Sequence, residues 1–413
     1  MLPLVSLGLA LTSCADRPTV RENADGPRIQ LAEKIVQDAI DSNLVPGAVL
    51  LVSLDGAVTP HQAFGYANGY GFDGKSLTDP DKMTAGHVFD LASLTKVFAT
   101  TFGIMILVDR DVVRLDSPLH EYLPEFRGVS KDSITVRHLL THTAGLSPWK
   151  PTYFHAQSAA GSYEYIRSLP LDYTVGDGRH YSDLGFMLLG YLIERVSGSP
   201  VDQFIETELY EPLGLSATSF ASRANITEPV AATSQGNPFE RRMIEDPDFG
   251  YLINENPNSF TEWRQYTLTG EVNDGNSYYA HGGVAGHAGL FSTAGDLNVL
   301  INLLLNKGVF DGNEIISADI IGEFLSPDFT GNGLGWAMSA NVLPVDHMPP
   351  GAFGHTGFTG TYVFADPESK LVVILLTNRQ NSGVDENGNY PSLSALRRAV
   401  VNAAFDQIPR IEN

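Results

Sequence analysis

The stretch Phe89–Asp109, FDLASLTKVFATTFGIMILVD, decides how this sequence is read. It sets Ser93 and Lys96 three residues apart, at the mouth of an apolar run with Val97, Thr101, Ile104 and Val108 at helical spacing. On a helix, positions i and i+3 are neighbours, so Lys96 can reach Ser93. A serine at a helix N-terminus lies in a positive dipole field, which favours an alkoxide. A lysine buried beside it is expected to have a lowered pKa and to serve as a base. The alternative is a capping serine with a solvated lysine, and spacing alone does not choose between them. With 30 serines and 8 lysines in 413 residues, chance supplies roughly 0.6 Ser-x-x-Lys matches. A second match does occur, Ser147-Pro148-Trp149-Lys150, but Gly145 and Pro148 place it in a loop, where three-residue spacing aligns nothing.

Two distant segments bear on the choice. Tyr181-Ser182-Asp183 precedes a helical pattern beginning near Leu184. In an extended segment i and i+2 share a side, so Tyr181 and Asp183 can face one cleft; alternatively, Asp183 only caps the helix. Gly354-His355-Thr356-Gly357-Phe358-Thr359-Gly360 runs into a strand pattern from Thr361. Glycines in a strand mark close approach by a backbone or a ligand, and such an edge can offer N–H groups to an oxyanion.

Around these segments, IQLAEKIVQDAIDSNL reads as a helix, and PGAVLLVSLDGAVTPHQAFGYAN as two strands turning at Asp55-Gly56. The middle is helix-rich, including ITVRHLLTHTAGL and LGFMLLGYLIERVSG, the latter stopped by Gly198. Residues 222–280 are irregular and read as a long insertion or loop. GLFSTAGDLNVLINLLL follows as a strand end and a helix. GLGWAMSA, GAFGHTGFTGTYVFADPES and KLVVILLTNR then read as successive antiparallel strands with a turn at Asp366-Pro367, and LSALRRAVVNAAFDQI as a closing helix. The fold class is α+β: one antiparallel sheet drawn from both ends of the chain, flanked by helices, with a mostly helical lobe inserted. The expected division is 1–28 as leader and tether and 29–408 as one unit. Within that unit, an α/β lobe takes approximately 29–112 and 283–408, and a helical lobe with the insertion takes 113–282.

The net charge of −22 disfavours nucleic acid and anionic membrane surfaces as partners, since a phosphate backbone calls for a basic footprint. The single cysteine, Cys14, allows no internal disulfide. Leu11-Thr12-Ser13-Cys14 ends a short apolar segment and resembles the lipobox of a bacterial lipoprotein, although no Lys or Arg precedes Arg17. That resemblance implies an exported, periplasmic or cell-surface protein held by lipid on Cys14; a plain cleaved signal or a frayed cytosolic N-terminus is the alternative. No later segment has the length and apolarity of a membrane span.

Taken as a set, Ser-x-x-Lys at Ser93, Tyr-x-Asp at Tyr181 and His-Thr-Gly at His355 resemble one family. It comprises the serine hydrolases of the class C β-lactamase and penicillin-binding-protein type, with the related esterases and D-amino-acid peptidases. The resemblance runs from about Ile29 to Ile408 and includes TVRHLLTHTAGL and GHAGLFSTAGDL. It implies an acyl-enzyme on Ser93, base work shared by Lys96 and Tyr181, and leaving-group protonation by Tyr181. It further implies an Asp183 bonded to Lys96 or substrate, a cleft edge of His355, Thr356 and Gly357, and an oxyanion hole from the N–H groups of Ser93 and Phe358. No cofactor or metal is implied, and the substrate is an ester, a D-amino-acid peptide or a peptidoglycan-type peptide. A catalytically silent binder of such peptides is the alternative. Two departures stand out. Asp183 replaces the commoner Asn and should raise the pKa of Lys96. His355 replaces the lysine usual in β-lactamases and is a poorer partner for a substrate carboxylate, which shifts weight towards esterase or peptidase.

His138 and His142 are four apart on a predicted helix, but no third ligand for a metal lies nearby, and they read as structural. His281 and His287, among glycines, read as structural or loop residues. Trp149, Tyr153 and Phe154 read either as a wall of the acyl pocket or as surface-loop packing.

Overall fold

The strand Leu371–Thr377 is buried along its whole length and forms the spine of the molecule. In this computed structural model, which describes residues 29–59, 61–128, 130–220, 226–249 and 255–406, it is β6 of a six-stranded antiparallel sheet. The others are β1 (Gly47–Leu54), β2 (Ala57–Val58), β3 (Gln62–Gly65), β4 (Phe353–Thr356) and β5 (Tyr362–Asp366). The order is β2-β1-β6-β5-β4, with β3 also pairing on β1, so the two ends of the chain build one sheet and β4 forms an edge. Ala48 pairs with Thr377 and Leu54 with Leu371, which fixes which side chains face each way. Cys14 and its tether lie outside the described residues.

A strand covered on both faces reads as an unbroken apolar run, and LVVILLT is one. Leu371, Val373 and Leu375 face the helices Gln30–Asp41 and Ser394–Asp406. Val372, Ile374 and Leu376 face the larger core, which includes residues of the helices Phe102–Asp109, Asp183–Ser197 and Ala294–Leu305. Among the described residues no helix is long and apolar enough to cross a membrane.

Two expectations need correction. GLGWAMSA is not a strand; it touches the sheet through one bridge, Ala337 to Gly354. Gly335 takes a left-handed conformation (φ 80°), and Trp336 turns into the core edge-on to Phe98 at 5.7 Å and Phe353 at 5.2 Å. Burial of one large ring replaces strand pairing here. The helical pattern at Thr135 is also short. It spans Val136–Leu140, capped by Thr135 with His138 bonding back to it, and His142 lies beyond it at φ 58°. His138 and His142 therefore do not share a helix face.

Candidate active site

Ser93 sits in a turn after the short strand Phe89–Asp90. The residue before it, Ala92, is held at φ 46°, a strained conformation for a non-glycine residue. Asp90 holds it there: Oδ1 accepts the Ala92 N–H at 2.8 Å, and Oδ2 accepts the Asn273 N–H at 2.6 Å. Burial pushes the Asp90 carboxyl up to about 6 against those two bonds. Behind the turn, Lys96–Thr101 is a π-helical turn that passes into the α-helix Phe102–Asp109. Such turns recur at functional sites because the extra residue re-aims side chains. The one-faced helix expected from sequence is instead buried on all sides from Lys96 to Leu107.

Lys96 is wholly buried, and its Nζ bonds or pairs with three oxygens. It donates to Ser93 Oγ and the His287 carbonyl, each at 3.1 Å, and pairs with Asp183 Oδ1 at 2.7 Å. The His287 carbonyl reaches it because Gly286 and Gly190 let two backbones touch. A Cβ on Gly286 would lie 2.2 Å from the Phe186 carbonyl oxygen. Burial alone would lower the Lys96 pKa, but the Asp183 carboxylate and Tyr181 outweigh it and hold the ammonium above its ordinary value. Of the two opposing expectations for this lysine, the structure follows the one set by Asp183.

Asp183 opens the helix Asp183–Ser197, whose cap is Ser182 and not Asp183: Ser182 Oγ accepts the Gly185 N–H and donates to the Ser147 carbonyl at 2.7 Å. This frees Asp183 for Lys96. The Tyr181 ring centroid lies 5.0 Å from Lys96 Nζ. Ser93 and Lys96 adjoin its buried hydroxyl without meeting hydrogen-bond geometry. Burial raises the phenol pKa, and Lys96 opposes this only in part. Tyr181 therefore rests as a phenol that can donate a proton. Against its ring lies His142, centroids 4.4 Å apart, with Nδ1 accepting the Ser182 N–H. Arg179 lies 5.9 Å from the same ring, and its guanidinium has no hydrogen bond or ion pair among the described residues. Neither His142 nor Arg179 was legible as a site residue.

The β4–β5 hairpin docks on the nucleophile turn. Thr359 Oγ1 donates to the Asp90 carbonyl at 2.6 Å, and Thr361 Oγ1 to that of Leu91 at 3.1 Å. Gly357 is required there, since a Cβ would sit 2.4 Å from the Leu91 carbonyl oxygen. Within the protein, the backbone N–H groups of Ser93 and Phe358 donate no hydrogen bond among the described residues. His355 is buried, with Nδ1 on the Thr356 carbonyl at 2.8 Å, and burial followed by the Lys96 charge lowers its pKa to about 3. Near pH 7 the ring is therefore neutral.

In front of Ser93 lies a cavity of about 210 Å³. Ser93, Tyr181, Asp183, Trp149 and Phe358 line it, whereas His355, Thr356 and Gly357 do not. Tyr153 and Phe154 pack into an aromatic cluster with Phe260 and Trp263. The other lining comes from a histidine read as structural and from the 222–280 stretch, which is not wholly irregular as expected, since the α-helix Pro238–Glu245 within it carries Glu240: Asn237, Glu240, Asn273, Asp274 and His287. No local pattern marks these residues, because Asn237 and Asn273 meet only through the fold, Nδ2 to carbonyl at 2.8 Å. Among the described residues, no cluster of His, Cys, Asp and Glu is arranged to hold a metal.

The β-lactamase family model matches residues 32–396. The chain belongs to the β-lactamase family. It is 35% identical over 371 residues to an N-acetylmuramyl-L-alanine amidase of Bacillus subtilis, covering 83% of this chain and 80% of that one. It is 32% identical over 383 residues to a Salmonella paratyphi B protein named as a D-alanyl-D-alanine carboxypeptidase, covering 87% and 84%. The fold matches a class C β-lactamase from Rhodobacter sphaeroides at a TM-score of 0.65 and 20% identity, over 92% of this chain and 99% of that one. This member of the β-lactamase family is a serine hydrolase, as the three motifs together implied.

Proposed function

We propose that this serine hydrolase forms an acyl-enzyme on Ser93 and cleaves amide bonds of peptidoglycan-type peptides, with simple esters as accessory substrates. The observation that carries this reading is the single buried ammonium shared by Ser93 Oγ and Asp183 Oδ1 beside the Tyr181 ring. Lys96 rests as an ammonium, so it is the small neutral fraction, growing as pH rises, that takes the Ser93 proton as Oγ attacks the carbonyl carbon. The free N–H groups of Ser93 and Phe358 receive the negative charge that develops on the carbonyl oxygen. Tyr181 then gives its proton to the leaving nitrogen or oxygen, and the C–N or C–O bond breaks. The ammonium formed on Lys96 stabilises the phenolate left behind. In the second half, the phenolate takes a proton from water, the hydroxide attacks the acyl carbon, and Lys96 returns its proton to Ser93.

The amidase reading is favoured over β-lactams because no Lys or Arg lines the described cavity and His355 is neutral. A carboxylate beside the scissile bond finds no cation there. A second reading, D-alanyl-D-alanine carboxypeptidase, is supported by the 32% identity to a relative of that name; Arg179, 5.9 Å from the Tyr181 ring, is not among the residues lining the cavity. The catalytic unit spans 29–408, its α/β lobe (29–112 and 283–408) and helical lobe (113–282) both contributing to the cleft. Lipid on Cys14 would hold it at a bacterial periplasmic or outer surface. Cys14→Ser should then release the protein from the membrane fraction, and retention there would contradict the anchor. The activity is tested by comparing a muramyl-peptide amide, a D-Ala-D-Ala peptide, nitrocefin and p-nitrophenyl acetate. The expected result is Ser93-dependent turnover of the acetate ester and the highest kcat/KM on the muramyl-peptide amide. Equal turnover by Ser93→Ala would overturn the assignment.

A further inference from the structure

The wall facing Ser93 presents acceptor atoms. Asp274 uses Oδ1 for the His287 Nε2–H at 2.9 Å and the Ser277 N–H at 2.7 Å, while its second oxygen has no partner among the described residues. Glu240 uses Oε2 for the Gly275 N–H at 3.1 Å and for Asn237 at 3.3 Å; its Oε1 is buried without a hydrogen bond, beside the Tyr153 hydroxyl. Asn273, only 7% exposed, gives Nδ2 to Ser234 Oγ and leaves Oδ1 unpartnered. His287 is 1% exposed; its Nε2 meets Asp274, and its Nδ1, without a partner among the described residues, is an acceptor when the ring is neutral. Of these atoms, Glu240 Oε1 and His287 Nδ1 are buried with no hydrogen bond in ideal geometry, the first with the Tyr153 hydroxyl beside it; with Asp274 Oδ2 and Asn273 Oδ1 they suit a ligand that carries several N–H donors.

Charge points the same way. Asp183, Glu240 and Asp274 all line the cavity, and no Lys or Arg does. Two cations behind the wall are already committed: Arg264 to the Val272 and Asn273 carbonyls and to Asn237 Oδ1, and Lys96 to Asp183 and the His287 carbonyl. Burial, and then the neighbouring Asp274 charge, push the Glu240 carboxyl up to about 8. Glu240 is thus largely protonated near pH 7 before a ligand binds, and a bound ammonium would favour its carboxylate form.

The wall also lies close to the reacting centre. His287 spans the gap: its carbonyl meets Lys96 and its ring meets Asp274. The acceptors are thus one residue's breadth from Lys96, and so a few bonds from a carbonyl on Ser93. Tyr181, which protonates the leaving group in the proposed mechanism, lines the same cavity.

We propose that Asn273, Asp274, Glu240 and His287 form an ammonium subsite for the acyl group, so that the protein favours substrates whose acyl part carries a free primary amine close to the scissile carbonyl. This rests on the Ser93 acyl-enzyme reading, and the test separates the two. Glycine p-nitrophenyl ester and N-acetylglycine p-nitrophenyl ester are compared at pH 7, each corrected for uncatalysed hydrolysis, alongside p-nitrophenyl acetate. The free-amine ester is expected to be preferred in kcat/KM by about tenfold or more, the worth of one hydrogen bond to a charged group. In Glu240→Gln and Asp274→Asn that preference should fall towards unity. The ratio within one variant does not depend on how much of it is folded. Equal or greater activity on the acetylated ester, or a ratio unchanged in both variants, would overturn the subsite while Ser93-dependent turnover of p-nitrophenyl acetate leaves the acyl-enzyme reading standing. Loss of that Ser93 dependence would bring down both.

Discussion

Two stretches of this chain carry the same pattern, Ser-x-x-Lys, and the fold treats them oppositely. At Ser93–Lys96 the spacing lies at the head of a buried helix; Lys96 is fully buried and bonds Ser93 at 3.1 Å. At Ser147–Lys150 the backbone is irregular; Ser147 Oγ donates to Asp172 at 2.7 Å, and its carbonyl receives the Ser182 cap. The first lysine has its charge fixed between a hydroxyl, a carbonyl and a carboxylate. The second stretch is scaffolding that helps to seat the helix bearing Asp183. The difference teaches that three-residue spacing becomes chemistry only where burial forces the pair together and a third group controls the charge.

The contrast can be broken most directly by removing each serine. Ser93→Ala should lower kcat/KM on p-nitrophenyl acetate by about a thousandfold or more, as expected when a nucleophile is lost. Ser147→Ala should leave it within about twofold, the scale of a site remote from the chemistry. A large loss in Ser147→Ala with little loss in Ser93→Ala would reverse the assignment. Next in size, Tyr181→Phe removes the donor for the leaving group. A loss of about a hundredfold on amides is expected, smaller on p-nitrophenyl esters, whose leaving group needs no proton. Equal losses on both would remove Tyr181 from that role.

Asp183→Asn sharpens the account of Lys96. The Asp183 carboxylate raises the Lys96 pKa, so its removal lowers it. A lysine that works in its neutral form then becomes available at lower pH, and the acid limb of kcat/KM should move down by about one unit. An unmoved limb would mean that Lys96 is not the titrating base. The smallest effect belongs to the second stretch. Ser147→Ala forfeits its bond to the exposed Asp172 and should cost about 0.5–1 kcal/mol of stability in a denaturant titration. A cost several times larger would give that stretch a weight the structure does not.

Much of this was legible in sequence because the motifs are contiguous. LVVILLT declares a strand covered on both faces, Gly198 a helix end, and Gly357 a close backbone approach. The Lys96–Thr101 turn was not, since a single π turn shifts the periodicity by too little to read. The acidic wall was not legible either. Glu240, on the helix Pro238–Glu245, and Asp274 stand 34 positions apart and meet only once Asn237 bonds Asn273 and Asp90 fastens Asn273 to the nucleophile turn. His287 lacked a signal because half of its role is its carbonyl, which any residue supplies. Trp336 overrode a strand pattern because its ring fills the core between Phe98 and Phe353.

The central claim is that burial and Asp183 make Ser93, not Ser147, the acyl acceptor. Incubation with a fluorophosphonate followed by peptide mass mapping tests it directly. The account predicts one adduct, on the peptide containing Ser93, absent in Ser93→Ala. An adduct on Ser147, or one that persists in Ser93→Ala, would contradict it.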